Sequence, residues 1–264
     1  MFYRVDFRCD ARDPLQRMLD DLYGYAHDPE TRVLHRVRLN LFHRLLAELV
    51  ADRVIPGFDA ALDIGCNAGV YSKILSDFGF RRVEGIDIDA GQIAKAEAAF
   101  AVASPERTIE FRVADAELLD RPNHYDFVLC TEVIEHTARP ERVVGNLAAA
   151  LRPGGIAVIT LPNAFSLPYA AARAAYRVRR KPRDPVFEDH LRYPFWRALR
   201  LFQPHGLEVV RTTGANLWLD GRAIRALART PLLAAVSRAQ FGLARRWPLK
   251  YTAMFFCMVL RRPG

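Results

Sequence analysis

Short β-like runs that alternate with helical stretches between residues 60 and 160 constrain the fold of this chain most strongly. Five runs have the length of buried strands: Ala60–Ile64, Val83–Ile86, Ile109–Val113, Phe127–Cys130 and Ile156–Thr160. The segments between them have helical length and spacing: Tyr71–Phe78, Ala90–Ala103 and Glu141–Leu151. Strands that are apolar on both faces and alternate with helices predict a parallel sheet covered on both sides. Right-handed crossovers then give a doubly wound α/β fold, with its ligand site at the carboxyl ends of the strands.

The segments on either side of this pattern are less regular. Residues 1–55 are predicted to be helical and to form an N-terminal cover over a domain at residues 56–264. An apolar stripe recurs there at helical spacing: Leu34, Val37, Leu41, Leu45 and Leu49. Charged residues lie off the stripe: Arg36, Arg38, Arg44 and Glu48. The domain is expected to carry insertions at about residues 162–190 and 215–249, followed by a final strand at Tyr251–Leu260.

Composition excludes several classes of protein. Hydrophobic residues make up 51% of the 264 residues and charged residues 26%, which excludes a disordered or collagen-like chain. The longest apolar run, Ala253–Leu260, has eight residues, too few to span a bilayer. Residues 1–10 contain no apolar signal core, and the four cysteines are far apart. We therefore expect a cytoplasmic protein with reduced thiols.

The net charge of +8 is concentrated near the C-terminus. Residues 221–264 contain nine Arg and Lys residues and no acidic residue, whereas the first 220 residues carry 29 basic and 30 acidic side chains. The first insertion is also basic, with Arg173, Arg177 and Arg180 on one helix face. Basic and apolar helices of this kind lie at anionic membrane surfaces, bind RNA phosphates, or pack with their arginines solvated. We favour peripheral membrane contact over nucleic acid, because no RNA-binding module is recognisable.

A glycine-rich turn follows the first predicted strand, in Leu62-Asp63-Ile64-Gly65-Cys66-Asn67-Ala68-Gly69. Glycine lets a ligand approach the backbone closely, and the N-terminus of the next helix offers free N–H donors. A dinucleotide fingerprint would need glycine at positions 65, 67 and 70, where Asn67 and Val70 occupy two of the three. The turn therefore favours a nucleoside ligand without a pyrophosphate, or is simply a tight strand-to-helix turn.

Carboxylates end the next two predicted strands at the same edge of the sheet. Asp87 comes 22 residues after Gly65, the spacing at which an acid meets ribose hydroxyls in a nucleoside-binding unit. Asp115 ends the third strand. Either acid alone could be a helix cap, which is the simpler interpretation of Asp89. Three consecutive strands each place a suitable residue at the same edge of the predicted sheet, which favours a binding site there.

These motifs, with Gly85-Ile86-Asp87, Ala114-Asp115-Ala116 and Leu151-Arg152-Pro153-Gly154-Gly155, resemble those of class I S-adenosylmethionine-dependent methyltransferases over roughly residues 55–162. The resemblance implies a Rossmann-like, seven-stranded sheet whose last strand runs antiparallel. It also implies that Asp63, Gly65 and Gly69 lie against the methionine portion of the cofactor, that Asp87 holds the ribose and that Asp115 lies at the adenine. Further cofactor contacts are expected from neighbouring residues: Cys66, Asn67, Ile88, Ala116 and Thr131. Asn67 stands where many members have glycine, but asparagine tolerates left-handed backbone angles.

An acidic run with a histidine, Thr131-Glu132-Val133-Ile134-Glu135-His136, follows the fourth predicted strand. It resembles a run in ubiquinone-biosynthesis O-methyltransferases and in methyltransferases of the 3′-terminal 2′-hydroxyl of small RNAs, where it looks like a divalent-metal site. Glu132, Glu135 and His136, with His190 from the insertion, could hold Mg²⁺ or Mn²⁺. Alternatively, Glu132 lies near the cofactor while the other residues pack or cap. Glu132, His136 and His190 are also the candidate catalytic residues, with His190 as a general base.

The sequence thus predicts an S-adenosylmethionine-dependent methyltransferase that acts on an oxygen of a small or lipid-like acceptor. An RNA 2′-O-methyltransferase and a catalytically silent cofactor-binding module remain open. A sulfonium methyl is already activated, so the protein mainly has to align the acceptor and exclude water. Cys66 and Cys130 lie at apolar strand ends and are expected to pack rather than to act as nucleophiles.

Overall fold

A computed structural model describes residues 14–24, 29–179, 193–217, 226–227, 230 and 232–264. The strands are β1 (Ala60–Ile64), β2 (Arg82–Asp87), β3 (Val102–Ala103), β4 (Thr108–Val113), β5 (Tyr125–Thr131), β6 (Leu151–Pro162), β7 (Glu208–Ala215) and β8 (Phe255–Arg261). The helices are α1 (Pro14–Tyr23), α2 (Pro29–Ala51), α3 (Val70–Asp77), α4 (Ala90–Phe100), α5 (Pro140–Ala150), α6 (Leu167–Arg179), α7 (Phe195–Phe202) and α8 (Leu232–Leu243). No helix in the described part of the chain is long and apolar enough to span a bilayer.

The strands form one mixed sheet in the order β3-β4-β2-β1-β5-β6-β8-β7. Neighbouring strands from β4 to β6 pair in parallel, whereas β8 is antiparallel to both β6 and β7. This order confirms the doubly wound α/β fold and the antiparallel last strand. Because β1, β2, β4 and β5 run in the same direction, their carboxyl ends meet at one edge of the sheet.

Two predicted boundaries are wrong. The described chain has eight strands rather than seven, because the helix predicted to reach Ala103 ends at Phe100 and residues 102–103 pair with β4 as a short edge strand. The last strand begins at Phe255 rather than Tyr251, since residues 249–251 form a 3₁₀ turn. The side-chain amide of Asn163 donates to the carbonyls of Tyr251 and Ala253, which holds this turn against the end of β6.

Two apolar cores cover the two faces of the sheet. One face packs against α2, α3, α4 and α8 through residues such as Leu45, Ile74 and Phe241. The other packs against α5 and α7 through residues such as Leu147 and Phe202. The N-terminal helices thus share a core with the sheet, and the predicted division at residue 55 stays a prediction. Residues 1–13 lie outside the described residues. So do residues 180–192, which include the part of the first predicted insertion that follows α6.

Helix α2 is buried on more than its predicted stripe. Val37, Leu41 and Leu45 are at most 2% exposed, as the stripe requires. Arg36 lies off the stripe but is also only 2% exposed, and it donates to Gln16 in α1 at 2.6 Å. The reason is that α1 packs against this side of α2, where Arg32 also pairs with Asp20. Arg38, two residues further along and so on another face of the helix, borders the cavity at the carboxyl edge of the sheet instead.

Asp126 ties three strands together at the opposite edge. Its carboxylate accepts hydrogen bonds from the backbone N–H groups of Asp59 and Ala60 at 2.9 and 3.0 Å, and it pairs with Arg152 at 2.9 Å. The side chain is only 9% exposed. Replacing the carboxylate by a methyl group leaves two backbone donors without their acceptor and leaves the Arg152 guanidinium paired with Asp59 alone.

We therefore expect Asp126→Ala to lower the free energy of unfolding by about 2–3 kcal/mol. Urea unfolding followed by circular dichroism measures this change. The matched control is Glu110→Ala, which removes an exposed carboxylate from β4 and should change stability by less than about 0.5 kcal/mol. Equal effects of the two substitutions would contradict the role assigned to Asp126.

Candidate active site

A cavity of about 500 Å³ opens at the carboxyl edge of the sheet, a size typical of small-molecule sites. Residues after β1, β2, β4 and β5 form one half of its wall. This half contains eight of the residues predicted to contact a cofactor: Gly65, Cys66, Asn67, Asp87, Ile88, Asp115, Ala116 and Thr131. The structure therefore brings eight of the ten predicted residues to one cavity, and their contact with a cofactor stays a prediction.

The turn after β1 is shaped by two left-handed residues. Gly65 has a φ of 70° and Asn67 a φ of 48°, and the Asn67 side chain accepts a hydrogen bond from the N–H of Ala68 at 2.7 Å. A side chain at Gly65 would overlap the Cγ2 methyl of Val133, in the loop after β5. Glycine is thus required both by conformation and by the close approach of two loops. Asn67 occupies the left-handed position that the sequence assigned to it.

Asp87 links this turn to the end of β2. One carboxylate oxygen accepts from the N–H of Asn67 and the other from the N–H of Asp89, both at 2.9 Å. Each carboxylate oxygen can accept a further hydrogen bond. Asp89 is a helix cap, as the simpler interpretation predicted, because its side chain accepts from the N–H groups at the start of α4. Beside them, Ile88 is 74% exposed and borders the cavity.

The loop after β4 forms another part of the cavity wall. Asp115 borders the cavity and also accepts from the N–H of Glu117 at 2.8 Å, so it caps a 3₁₀ turn as well. Glu117 accepts from the N–H groups of Ala138 and Arg139, both at 2.9 Å, and pairs with the Arg139 side chain at 2.7 Å. The hydrogen bonds from Arg139 lower the pKa of Glu117. This carboxylate, which the sequence analysis missed, fixes the loop after β4 to the loop after β5.

Two predicted cofactor residues do not border the cavity. A Cβ atom on Gly69 would lie 2.7 Å from the Phe111 ring, so glycine at this position lets the start of α3 pack closely against β4. Asp63 is fully buried and accepts a hydrogen bond from the Ser72 hydroxyl at 2.7 Å. Burial, with a smaller effect of the Asp87 charge, raises the pKa of Asp63 from 3.8 to about 7.

Cys66 and Cys130 are buried, at no more than 1% exposure, and neither forms a disulfide. Burial raises the pKa of both thiols. A thiol that keeps its proton is a poor nucleophile, which agrees with their predicted packing role.

Glu132, at the end of β5, is the most unusual side chain in the cavity. Its φ is 55°, a left-handed conformation that is rare for a residue with a long side chain. The side chain is 12% exposed and lies 3.6 Å from the guanidinium of Arg38. Burial raises the pKa of Glu132, and this effect is larger than the lowering effect of the Arg38 charge. A buried carboxylate with a raised pKa in a cleft is a typical acid–base candidate.

The other residues of the acidic run do not converge with Glu132. His136 borders the cavity with 42% of its side chain exposed, whereas Glu135 is 1% exposed and lies outside the cavity wall. No group of three His, Cys, Asp or Glu side chains within the described residues could hold a metal ion. His190, the fourth predicted ligand and a candidate base, lies outside the described residues. The described donors therefore do not fit a divalent-metal site.

The N-terminal helices supply the other half of the cavity, which the sequence analysis did not predict. Tyr23, His35 and Arg38 come from α1 and α2, and Tyr71 comes from α3. Arg38 lies over the Phe255 ring at 5.1 Å, and His35 meets Tyr23 edge-to-face at 4.3 Å. Burial and the charges of Arg38 and Arg36 lower the pKa of His35, so its imidazole is neutral at pH 7. The available signal was the polar His35-Arg36-x-Arg38 run beside the apolar stripe of this helix.

The raised pKa of Asp63 has a measurable consequence for stability. The folded protein holds a proton on Asp63 that the unfolded chain releases near pH 4. Its stabilising contribution is therefore complete below about pH 4 and is lost as the pH rises through about 7. We expect Asp63→Asn, which mimics the neutral carboxyl, to gain stability relative to the wild type between these pH values. Thermal unfolding from pH 4 to pH 8 measures the difference.

The exposed carboxylate of Asp120 offers a matched control. Asp120→Asn should follow the wild-type pH dependence throughout. A constant offset between Asp63→Asn and the wild type would contradict the buried, protonated carboxyl.

Comparison with known proteins is consistent with this geometry. Residues 31–217 match a family model described as a methyltransferase domain. A ubiquinone biosynthesis O-methyltransferase of Leptothrix cholodnii is 32% identical over 143 residues, which is 52% of this chain and 57% of that protein. A protein of the same name from Nitrosomonas europaea is 31% identical over 185 residues, or 65% of this chain and 73% of that one. The chain therefore spans little more than half of the first relative's length.

Solved structures share the fold at lower identity. The magnesium protoporphyrin IX methyltransferase of Synechocystis PCC 6803, crystallised with bound SAH, superposes with a TM-score of 0.62 at 15% identity and covers 96% of each chain. This likeness concerns the fold, while the family model covers most of the chain from α2 to the residues after β7. The chain belongs to the family of S-adenosylmethionine-dependent methyltransferases.

Proposed function

We propose that this protein transfers the methyl group of S-adenosylmethionine to an oxygen of a small or lipid-like acceptor. The observation that carries the proposal is the position of Glu132, a buried carboxylate with a raised pKa in the cavity wall. It follows β5, whereas the predicted nucleoside contacts follow β1, β2 and β4. An acceptor hydroxyl in the half of the cavity formed by the N-terminal helices would therefore lie between Glu132 and the cofactor.

The half of the cavity formed by the sheet suits an adenosine group. Asp87 has acceptor capacity for the two ribose hydroxyls while the N–H groups of Asn67 and Asp89 hold it in place. Ile88 offers an apolar surface for the adenine ring, and Asp115 offers an acceptor for its exocyclic amine. Glycine at position 65 leaves room for the methionine portion to pass close to the backbone.

Arg38 is suited to the methionine carboxylate. It is the one Lys or Arg among the described residues of the cavity wall, and a guanidinium binds a carboxylate with two parallel hydrogen bonds. Its guanidinium already lies over the Phe255 ring. Arg38 would then have two functions, because its charge also favours the ionised form of Glu132.

The chemistry requires one proton acceptor and good alignment. S-adenosylmethionine supplies a methyl group that is activated by its sulfonium sulfur. The acceptor oxygen forms a bond to the methyl carbon as the carbon–sulfur bond breaks and its electron pair returns to sulfur. Glu132 accepts the hydroxyl proton, and the raised pKa brings its basicity closer to the working pH. Tyr23, Tyr71 and His35 help to enclose this half of the cavity, which orients the acceptor and excludes water.

We expect Asp87→Ala to weaken binding of S-adenosylmethionine by roughly 10- to 100-fold, because two charge-assisted hydrogen bonds are lost. Isothermal titration calorimetry with S-adenosylmethionine measures the dissociation constant. Asp87→Asn keeps one oxygen acceptor and should fall between the variant and the wild type. The neighbouring substitution Asp89→Ala, which removes a helix cap outside the cavity wall, should leave the affinity within about threefold.

We expect Glu132→Gln to lower the rate of methyl transfer by roughly 10²- to 10⁴-fold while cofactor affinity stays close to that of the wild type. Transfer of a labelled methyl group to a lipid extract, followed by chromatography, measures the rate. In the wild type the rate should rise with pH through a pKa above the ordinary value for glutamate. Glutamine at position 132 should abolish this dependence.

Unchanged turnover in Glu132→Gln would contradict its assignment as the base. The same assay in EDTA tests the metal alternative from the acidic run. The described donors predict equal rates with and without the chelator. A rate that falls in EDTA and recovers with Mg²⁺ would reassign Glu132 as a metal ligand.

A further inference from the structure

Glu117, in the loop after β4, is a buried carboxylate in the cavity wall. One of its oxygens accepts from two backbone N–H groups, those of Ala138 and Arg139, and the other accepts from the Arg139 side chain. Charge-assisted hydrogen bonds are stronger than neutral ones, so three donors fix this carboxylate without help from a ligand. Glu117 is therefore suited to hold other groups of the cavity wall in place rather than to bind a ligand itself.

The three donors belong to the start of α5. Arg139 directly precedes the helix, Pro140 is its first residue, and the Arg139 side chain does not cap the helix itself. The helix dipole favours a negative charge at this end. Glu117 brings that charge from 21 residues earlier in the chain. The loop after β4 is thus attached to the amino end of a helix that packs on the sheet.

The same loop carries Asp115, the residue assigned to the adenine. One oxygen of Asp115 accepts from the N–H of Glu117 at 2.8 Å, whereas the other accepts no hydrogen bond from the described residues. Between the two acids, the carbonyl of Ala116 accepts from the side-chain amide of Asn146 in α5 at 3.0 Å. The position of the unbonded Asp115 oxygen therefore depends on how Glu117 and Asn146 hold this loop on α5.

The residue before Asp115 is anchored as well. Ala114 donates its N–H to the carbonyl of Asp87 at 2.9 Å, at the end of β2. Asp115 thus lies between an anchor on a strand and an anchor on α5. Removal of the Glu117 carboxylate weakens the second anchor, while the bonds of Ala114 and Asn146 remain. The expected consequence is a displaced acceptor at Asp115 rather than an unfolded loop.

A fixed carboxylate oxygen distinguishes purine bases by hydrogen-bond chemistry. An ionised carboxylate only accepts hydrogen bonds. The 6-amino group of adenine donates one, whereas hypoxanthine has a carbonyl oxygen at this position, which would face the carboxylate unpaired. A site built to bond one group rejects an analogue that lacks it, provided that the polar groups of the site are held in place. Base selectivity therefore depends on what holds Asp115.

We propose that Glu117 is a positioning residue that makes the cavity selective for adenine over other purine bases, because it fixes the loop that carries Asp115 to the start of α5. The inference rests on the proposed function only through the adenosine group placed at Asp115. It does not depend on the acceptor or on the role of Glu132. The alternative is that Glu117 stabilises the fold and has no specific effect on base recognition.

Calorimetry with S-adenosylhomocysteine and with S-inosylhomocysteine, which carries hypoxanthine in place of adenine, tests the proposal. We expect the wild type to prefer the adenine ligand by roughly tenfold or more. Glu117→Gln keeps the size of the side chain and removes its charge. Its affinity for S-adenosylhomocysteine should fall by roughly tenfold, while its affinity for S-inosylhomocysteine changes by less than about threefold. The ratio of the two dissociation constants is the readout, because a general loosening of the site would lower both affinities equally.

A double-mutant cycle tests whether Glu117 acts through Asp115. Asp115→Asn alone should remove the preference, since an amide can donate to the hypoxanthine carbonyl as well as accept from the adenine amine. Addition of Glu117→Gln to this variant should change the ratio by less than about twofold. A double variant whose ratio is the product of the two single effects would overturn the proposal.

Glu141→Gln is the matched control. Glu141 is an exposed carboxylate in the first turn of the same helix and lies outside the cavity wall, so the substitution removes the same charge from the same helix end. Both affinities should stay within about twofold of the wild type. Arg139→Ala keeps the two backbone donors to Glu117 and should narrow the ratio less than Glu117→Gln does. Circular dichroism establishes that each variant is folded.

Three results would overturn the proposal. These are a wild type without preference for the adenine ligand, a ratio that Glu117→Gln leaves unchanged, and an equal loss of affinity for both ligands in Glu117→Gln, which would assign this residue a structural role. A wild type that binds neither ligand would remove the cofactor assignment and this proposal with it. Transfer of a labelled methyl group by the same proteins reports separately on the proposed function.

Discussion

The close contact between the turn after β1 and the loop after β5 is the constraint on which the site depends. Gly65 can approach Val133 because it has no side chain, and its left-handed conformation turns the chain toward α3. In the same turn the N–H of Asn67 donates to Asp87, and Glu132, which directly precedes Val133, borders the cavity. A parallel sheet supplies the common edge, and this contact sets how closely the loops after β1 and β5 approach each other at that edge.

Sequence patterns predicted the doubly wound sheet, its antiparallel last strand and a group of residues that the structure brings to one edge, because these follow from local rules. The apolar run Ala60–Ile64 and the carboxylate of Asp87 at the end of β2 can each be recognised from the residues next to them in the sequence. The wrong boundaries arise where tertiary contacts override local preference, as at residues 102–103, which have helical composition but pair with β4. Arg38 and Glu117 were missed for a related reason. Each acts through a partner distant in sequence, Glu132 and Arg139, and no spacing rule joins them.

The two halves of the cavity wall come from different parts of the chain, which explains why family membership does not identify the acceptor. Residues after β1, β2 and β4 form a surface suited to one nucleoside, so their motifs are recognisable. The opposite half is formed by Tyr23, His35 and Arg38 from helices that precede the sheet.

A crystal structure with bound S-adenosylhomocysteine, the demethylated cofactor, tests the central claim most directly. The account predicts the ribose hydroxyls within hydrogen-bond distance of the Asp87 carboxylate, and the sulfur directed toward the Glu132 side of the cavity. An empty cavity under saturating ligand, or the nucleoside bound with its ribose away from Asp87, would contradict it.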